Sequence, residues 1–159
     1  MGSGITEGDR HVDALELLKA DHDKVKKLLS EGDETTERAV KTRAELLATI
    51  KQELTIHEDI EETIFYPALK EHPKAKEIVL EAYEEHNVVD TVLAELEATD
   101  VADERWGAKF TVMKENIEHH IEEEEGEMFK QARSVFEPDE LQALGDRMAT
   151  RKQELTARA

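Results

Sequence analysis

The sequence contains no cysteine among its 159 residues, which excludes disulfides and thiolate metal ligands. Only three prolines and seven glycines interrupt the chain, and the runs of Val, Ile and Thr that are typical of strands are missing. No stretch approaches the roughly 20 apolar residues that span a bilayer, and the first residues lack the basic and apolar segments of a secretory signal. We therefore predict an all-α, cytoplasmic protein without a membrane segment.

Basic residues are also scarce: 21 of them stand against 39 acidic residues, which gives a net charge of −18. Such a negative surface repels phosphate backbones, which argues against a nucleic-acid partner. Because 38% of the residues are hydrophobic, the chain can form a folded core and is not a disordered acidic segment. The length suits one domain, and residues 1–8 are interpreted as a flexible N-terminus or a remnant of cloning.

Apolar residues recur every three to four positions in four long segments, which predicts amphipathic helices. Asp103 is the predicted N-cap of the fourth helix, and Pro67 predicts a kink or an early end within the second. A short fifth helix is predicted to begin at Pro138. Short connections predict an antiparallel up-down-up-down four-helix bundle with a short extra C-terminal helix. The four long helices are predicted over residues 9–29, 36–70, 73–98 and 103–133.

Two of the predicted helices carry the same pattern, a histidine followed four residues later by a glutamate. The second helix has His57 and Glu61, and the fourth has His120 and Glu124. Residues i and i+4 lie on one face of a helix, so each pair directs an imidazole and a carboxylate to one point. Both pairs interrupt the apolar stripe, where a buried carboxylate is costly unless a cation neutralises it. No Lys or Arg occupies these inward positions, so a metal ion is the simplest partner.

His22 and His86 place an imidazole on the inward stripe of each remaining long helix. Either one alone would be interpreted as a hydrogen-bonded core histidine, but together with the two pairs they favour a metal site. His119 fits the stripe less well and is predicted to lie at the surface or beside the ligands. His11 and His72 are predicted to be ordinary exposed residues.

The pattern His, His-x-x-x-Glu, His, His-x-x-x-Glu resembles the bacterial hemerythrin-like, or HHE cation-binding, family. The neighbouring segments are similar as well: residues 17–22 around the first histidine, 61–67 after the second and 119–127 at the end. The resemblance covers roughly residues 11–133. It implies that residues 9–159 form one hemerythrin-like four-helix-bundle domain.

The resemblance implies a non-haem centre of two iron ions with an oxo or hydroxo bridge. Imidazole and carboxylate ligands suit iron, although zinc or manganese could occupy the same ligands. Glu62 and Glu125 are interpreted as acids beside the ligands or at the surface. The terminal ligands that the resemblance implies are His22, His57, His86 and His120. The bridging ligands that it implies are Glu61 and Glu124.

The chain departs from the oxygen-carrying hemerythrins, which resemble it but have two histidines four residues apart on the third helix. Here Ala82 stands four residues before His86, and Asp90 stands four residues after it. The corresponding position is therefore either without a ligand or filled by Asp90, Glu58 or a water molecule. An open position is typical of a reactive metal site.

We therefore expect redox chemistry with O2, H2O2 or NO rather than reversible oxygen transport. The turnover would be peroxidase-like, catalase-like or nitric-oxide-consuming. The alternatives are a sensing or storage module that binds oxygen or iron without turnover, and a metal-free structural bundle. Ferritin-like di-iron bundles are excluded because they need a glutamate three residues before a histidine, and no histidine here has one. The protein is predicted to be a monomer or a weak homo-oligomer.

Overall fold

A computed structural model describes residues 12–159, which form helices and no strands. None of these helices is both long enough and apolar enough to cross a membrane. The interpretations of residues 1–8 and of His11 lie outside the described residues. The helices are α1 (Ala14–Asp33), α2 (Val40–Ile60), α3 (Tyr66–Lys70), α4 (Lys76–Glu97), α5 (Trp106–Glu123), α6 (Phe129–Val135) and α7 (Pro138–Arg158).

Helix α1 begins with a capping box. The Asp13 carboxylate accepts the backbone N–H of Glu16 at 2.9 Å, and the Glu16 carboxylate accepts the backbone N–H of Asp13 at 3.1 Å. These bonds satisfy two N–H groups near the helix start. Leu18, Val25 and Leu29 follow the apolar period of this helix and are all buried, so the prediction of an amphipathic first helix is confirmed.

The second and fourth long helices each contain a π-helical turn, which the sequence period did not predict. One covers Glu61–Phe65 and joins α2 to α3; the other covers Glu124–Met128 and joins α5 to α6. Each begins at the glutamate of a His-x-x-x-Glu pair. π turns of this kind are frequent at functional sites. The early end considered at Pro67 is wrong, because the helix runs on to Lys70, and the π turn lies before Pro67.

The first π turn changes which side chains are buried after Glu61. The backbone N–H of Tyr66 bonds to the carbonyl of Glu61, five residues earlier, so the following side chains face directions that an α period does not predict. Tyr66 and Leu69 are fully buried, whereas Ala68, which lies seven residues after Glu61 and would face inward in an uninterrupted α-helix, is only partly buried. In α4, Ile78 is only partly buried, whereas the neighbouring Val79 is fully buried.

Helix α5 begins at Trp106, three residues after the predicted start. The Asp103 carboxylate accepts the backbone N–H of Arg105 at 2.7 Å, and its carbonyl accepts that of Trp106 at 3.0 Å. Asp103 therefore closes a turn before the helix, and its prediction as the N-cap is wrong. Trp106 is buried and stacks on Phe110 with 5.1 Å between ring centroids. The guanidinium of Arg43 covers the indole ring at 4.5 Å.

Helix α7 has 21 residues, so the prediction of a short fifth helix is wrong. It begins with Pro138 in its first turn and a capping box of Glu137 and Glu140, both of which favour a stable start. It packs against α1 and α2. Its closest approach is at Gly145, where a Cβ would lie 2.4 Å from the carbonyl oxygen of Val12. Only glycine permits this contact between the two backbones.

Buried apolar side chains form two clusters. The first joins the start of α1 to α3, α6 and α7, and the second joins the rest of α1 to α2, α4 and α5. His22 lies between Leu18 of the first cluster and Val25 of the second, and His57 and His86 lie between the clusters in the same way. The predicted ligands therefore occupy a polar layer inside an apolar core.

Candidate metal centre

The six side chains predicted as metal ligands are all buried and meet in this polar layer. His57 Nε2 lies 3.2 Å from Glu61 Oε1, and His120 Nε2 lies 3.2 Å from Glu124 Oε2. Each pair thus directs a nitrogen and an oxygen to one place, as the i, i+4 spacing predicts. The side chains of both glutamates are 0% exposed, so water cannot stabilise their negative charges.

The histidines of the other two long helices each approach the glutamate of one of these pairs. His22 Nε2 of α1 lies 3.1 Å from Glu124 Oε1, and His86 Nε2 of α4 lies 3.1 Å from Glu61 Oε1. Two groups result, and within each the ligand atoms all lie within 4.8 Å of one another. The first half-site comprises His22, His57, Glu61 and Glu124. The second half-site comprises Glu61, His86 and His120.

Several atoms of the half-sites are buried without a hydrogen-bond partner, although they lie close to one another. Buried polar atoms normally have a partner, and lone pairs that converge in a dry interior repel one another unless a cation lies between them. Imidazole nitrogen and carboxylate oxygen are ligands that suit iron, manganese and zinc. The residues therefore fit a metal cation. The unpartnered atoms are Nε2 of His22, His57 and His120, both carboxylate oxygens of Glu61, and Oε1 of Glu124.

In the metal-free protein, protons supply the positive charge that these carboxylates require. Burial disfavours the charged form of His57, but Glu61 and Asp21 outweigh burial and raise the pKa of His57 well above its ordinary value. Burial also opposes the charge of His86, yet the contact with Glu61 raises its pKa to about 9. Burial disfavours ionisation of Glu124, but its close contacts with Glu61, His120 and His22 hold its pKa well below the ordinary value. The cluster is therefore built to hold positive charge.

Each of the four histidines contacts a further carboxylate through its other ring nitrogen. A carboxylate that accepts the Nδ1–H fixes the orientation of the ring and leaves Nε2 to bind a metal. Of the two alternatives considered for Glu62 and Glu125, these contacts favour a position beside the ligand candidates. The Nδ1 distances are 2.7 Å from His22 to Glu125, 3.0 Å from His57 to Asp21, 2.7 Å from His86 to Glu62 and 2.8 Å from His120 to Glu85.

Asp21 and Glu85 were not assigned a role from the sequence. Each directly precedes a predicted ligand, His22 or His86, yet its carboxylate contacts a histidine on another helix. Adjacent residues on a helix point about 100° apart, so one can face the centre while the other faces the neighbouring helix. An acid directly before each lone histidine was the feature that could have indicated them.

The two side chains considered as a further ligand lie outside both half-sites. Glu58 Oε1 is 3.8 Å from His86 Nδ1, which is the nitrogen that faces away from the centre. Burial and a hydrogen bond with Asp90 raise the pKa of Glu58 to about 8. His119 is 66% exposed, as predicted. His72, which was predicted to be exposed, is partly buried because its ring packs edge-on against Phe136.

Tyr66 is a further residue that the sequence analysis missed. Its hydroxyl donates a hydrogen bond to Glu124 Oε2 at 2.6 Å and lies 3.3 Å from His86 Nε2. Burial and the charges of Glu124 and Glu61 raise the pKa of Tyr66 well above its ordinary value, so the hydroxyl keeps its proton. Because the π turn brings Tyr66 inward, no regular period of apolar residues could have revealed this contact.

A cavity of about 20 Å³ adjoins the four histidines. This volume accommodates about one water molecule. Apart from the histidines, its lining is apolar except for Glu58. The apolar lining residues are Val25, Leu54, Val89, Ile117 and Ile121.

Comparisons with known proteins agree with this geometry. The family model of the hemerythrin HHE cation binding domain matches residues 13–132, a range that contains all six ligand candidates. The chain is also similar to the crystal structure of a hemerythrin HHE cation binding domain-containing protein from Mycobacterium kansasii. The two are 30% identical with a TM-score of 0.81, and the match covers 91% of this chain and 87% of that chain. The comparison with curated proteins found no match. The chain belongs to the hemerythrin HHE cation-binding domain family.

Proposed function

We propose that this protein holds two iron ions and reduces small oxidants such as O2, H2O2 or NO. The observation that carries the proposal is the convergence of unpartnered nitrogen and oxygen atoms into two half-sites that share Glu61. Each half-site offers at least three ligand atoms, so we assign one ion to each. Two ferrous ions held by these residues would supply the two electrons that reduce a small oxidant.

In this proposal the two glutamates connect the half-sites. The oxygens of Glu124 are divided between them, since Oε1 faces His22 at 3.1 Å and Oε2 faces His120 at 3.2 Å. Glu61 Oε1 lies within 3.2 Å of both His57 and His86. These contacts support a bridging role for both carboxylates. The four histidines act as terminal ligands, held in orientation by the carboxylates on their Nδ1 atoms.

The surroundings of the half-sites support a small oxidant as the substrate. The adjoining cavity of about 20 Å³ is too small for an organic substrate, and its apolar walls exclude bulk water. Tyr66 keeps a proton on its hydroxyl next to His86 and Glu124, where that proton can form a hydrogen bond with a bound ligand. The third long helix has Ala82 and Asp90 four residues from His86, where oxygen carriers have a second histidine, which favours turnover over reversible oxygen transport.

Anaerobic loading with Fe²⁺, followed by stopped-flow mixing with peroxide or NO, tests the proposal. We expect optical changes that are complete within seconds and more than one equivalent of oxidant consumed when a reductant is present. Zinc-loaded protein is the matched control, because Zn²⁺ fits the same ligands but cannot change its oxidation state. A stable oxygen adduct without turnover would instead indicate transport or sensing. No reaction of the iron-loaded protein with either oxidant would contradict the proposal.

We also propose that the four long helices form an up-down-up-down bundle. As the residue number rises along one helix, the number of its contact on the neighbouring helix falls, which supports antiparallel neighbours. The contacts that support this arrangement are Asp21 with His57 and Lys24 with Glu53 between α1 and α2, and Lys51 with Glu97 and Glu62 with His86 between the second long helix and α4.

The protein is proposed to be cytoplasmic and a monomer or a weak homo-oligomer. Its net charge of −18 argues against a nucleic-acid partner.

A further inference from the structure

Helix α7 reaches the candidate metal centre through the carboxylate of Asp21. Asp21 Oδ2 contacts His57 Nδ1 at 3.0 Å, and the other oxygen, Oδ1, accepts a hydrogen bond from the ammonium of Lys152. Lys152 lies on α7, beyond the residues that the family model matches. We propose that Lys152 is a positioning residue for the metal centre, because it fixes Asp21 and Asp21 fixes His57. Where this inference concerns a bound metal ion, it rests on the proposed function.

Asp21 is the most deeply buried of the four carboxylates that hold the histidines. Its side chain is 5% exposed, compared with 20% for Glu125, 27% for Glu85 and 38% for Glu62. A carboxylate at this depth is costly unless a cation pairs with it. Exposed carboxylates can be stabilised by water, so Asp21 depends on its cation more than the other three do.

The position of Lys152 is fixed because α7 is firmly attached to the rest of the fold. Gly145 lets the backbone of α7 approach that of Val12 and Asp13. Next to Lys152, the guanidinium of Arg151 binds both oxygens of Asp59 on α2, at 2.8 and 3.2 Å. This second ion pair also joins α7 to α2, but Asp59 contacts no histidine in any of the described hydrogen bonds.

The chemical role of Lys152 follows from the two oxygens of Asp21. One oxygen accepts the Nδ1–H of His57 and thereby keeps the lone pair of Nε2 free for a metal ion. The ammonium holds the other oxygen and prevents the carboxylate from rotating towards water. Without Lys152, Asp21 loses its fixed orientation, and the His57 ring loses the partner that holds it in position.

Substitution of Lys152→Met, with Arg151→Met as the matched control, tests this inference. Both changes remove one ion pair between α7 and the rest of the protein, but only the first removes a partner of Asp21. Ferrous ion is added anaerobically to each full-length variant, and its dissociation into a chelator is followed. Substitutions of residues that hold metal ligands typically weaken metal binding about 10–100-fold. We expect K152M to release one of its ions at least about 10-fold faster, and we expect R151M to match the unsubstituted protein.

A second measurement uses the metal-free protein and does not depend on iron binding. The ¹H and ¹⁵N signals of the His57 ring report whether its Nδ1–H is held in a fixed hydrogen bond. We expect a defined Nδ1–H signal in the unsubstituted protein and in R151M, and its loss or broadening in K152M. Lys152→Arg keeps the cation and should restore the signal. Failure of the proposed function would abolish iron binding in every variant but leave this difference intact.

Asp21→Asn provides a further variant that keeps the size of the side chain. If Lys152 acts through Asp21, D21N alone should accelerate iron release, and adding K152M to D21N should cause no additional change. Independent effects of the two substitutions, or equal behaviour of K152M and R151M in both measurements, would overturn the proposal.

Discussion

The two half-sites share Glu61 but differ in what surrounds their histidines. In the first half-site, the carboxylates that hold the histidines are Asp21 and Glu125, which are 5% and 20% exposed. In the second, the corresponding carboxylates Glu85 and Glu62 are 27% and 38% exposed. Glu124 contacts a histidine of each half-site, but the hydroxyl of Tyr66 contacts only the oxygen that faces His120 of the second.

These differences indicate that the two proposed ions have different roles. The better shielded carboxylates on its histidines favour tight binding in the first half-site. The adjacent hydroxyl, which can donate a hydrogen bond, favours reaction with an added molecule in the second. We therefore expect the first ion to be held mainly for structure and charge, and the second to be the ion that an oxidant reaches.

The largest expected effect is that of Glu61→Gln, because both half-sites share this carboxylate. The substitution keeps the size of the side chain but removes the charge that both ions need. We expect less than about 0.2 ions per chain after anaerobic loading and desalting, measured by elemental analysis, since loss of one charged ligand is worth several kcal/mol. The exposed residue Glu127 provides a control, because Glu127→Gln should retain the full content. Full metal content in E61Q would show that the half-sites do not share Glu61.

Substitutions of single histidines should separate the two half-sites. His86→Gln removes a ligand of the second half-site only, so about one ion per chain should remain. His22→Gln removes a ligand of the first half-site, the one expected to bind more tightly, and should leave a single ion that a chelator removes faster than the ion of H86Q. Elemental analysis combined with chelator competition measures both outcomes. Equal retention by H22Q and H86Q would contradict the ranking of the two half-sites.

Tyr66→Phe tests the feature that most clearly distinguishes the second half-site. Removing a hydrogen bond to a charged acceptor should lower the free energy of unfolding of the metal-free protein by about 1–3 kcal/mol. Tyr83 is the matched control, because its hydroxyl is 3.5 Å from the carbonyl of Glu62. Tyr83→Phe should change the free energy of unfolding by less than about 0.5 kcal/mol. Urea unfolding measures both free energies.

In the iron-loaded protein, Y66F should keep two ions and alter the rate of reaction with NO or peroxide. An unchanged rate would exclude Tyr66 from the oxidant site.

The smallest expected effect is a dependence of metal affinity on pH. The raised pKa of His86, about 9, means that its imidazole is protonated at neutral pH in the metal-free protein. A metal ion binds the neutral imidazole, so binding releases protons, and the apparent affinity should rise between about pH 7 and pH 9. Calorimetric titration with Zn²⁺ in two buffers of different ionisation enthalpy measures the released protons. Binding without proton release would contradict the assigned role of His86.

The helices and the six ligand candidates could be predicted from the sequence because they depend on local periodicity. His57 with Glu61, and His120 with Glu124, interrupt an apolar stripe, and the spacing alone places each pair on one face. The resemblance to the hemerythrin-like family, which rested on the same residues, is confirmed by the match to the family model. The metal and the individual ligand assignments remain proposals.

The features that could not be predicted depend on small departures from that periodicity or on distant contacts. Tyr66 reaches the second half-site because a π turn follows Ile60. The sequence does not indicate where an extra residue enters a helical turn. Lys152 and Asp21 are 131 positions apart in the chain, so no local pattern connects them. The length of α7 was underestimated because its single apolar stripe does not indicate how far a capped helix continues.

The central claim is that buried histidines and glutamates form two adjacent metal sites with unequal affinity. Anaerobic titration of the metal-free protein with Fe²⁺, followed by elemental analysis and optical spectra, tests this claim most directly. We predict two ions per chain, taken up in two steps, with the second step lost in H86Q. Uptake of no iron, or of one ion that H86Q and H22Q affect equally, would contradict it.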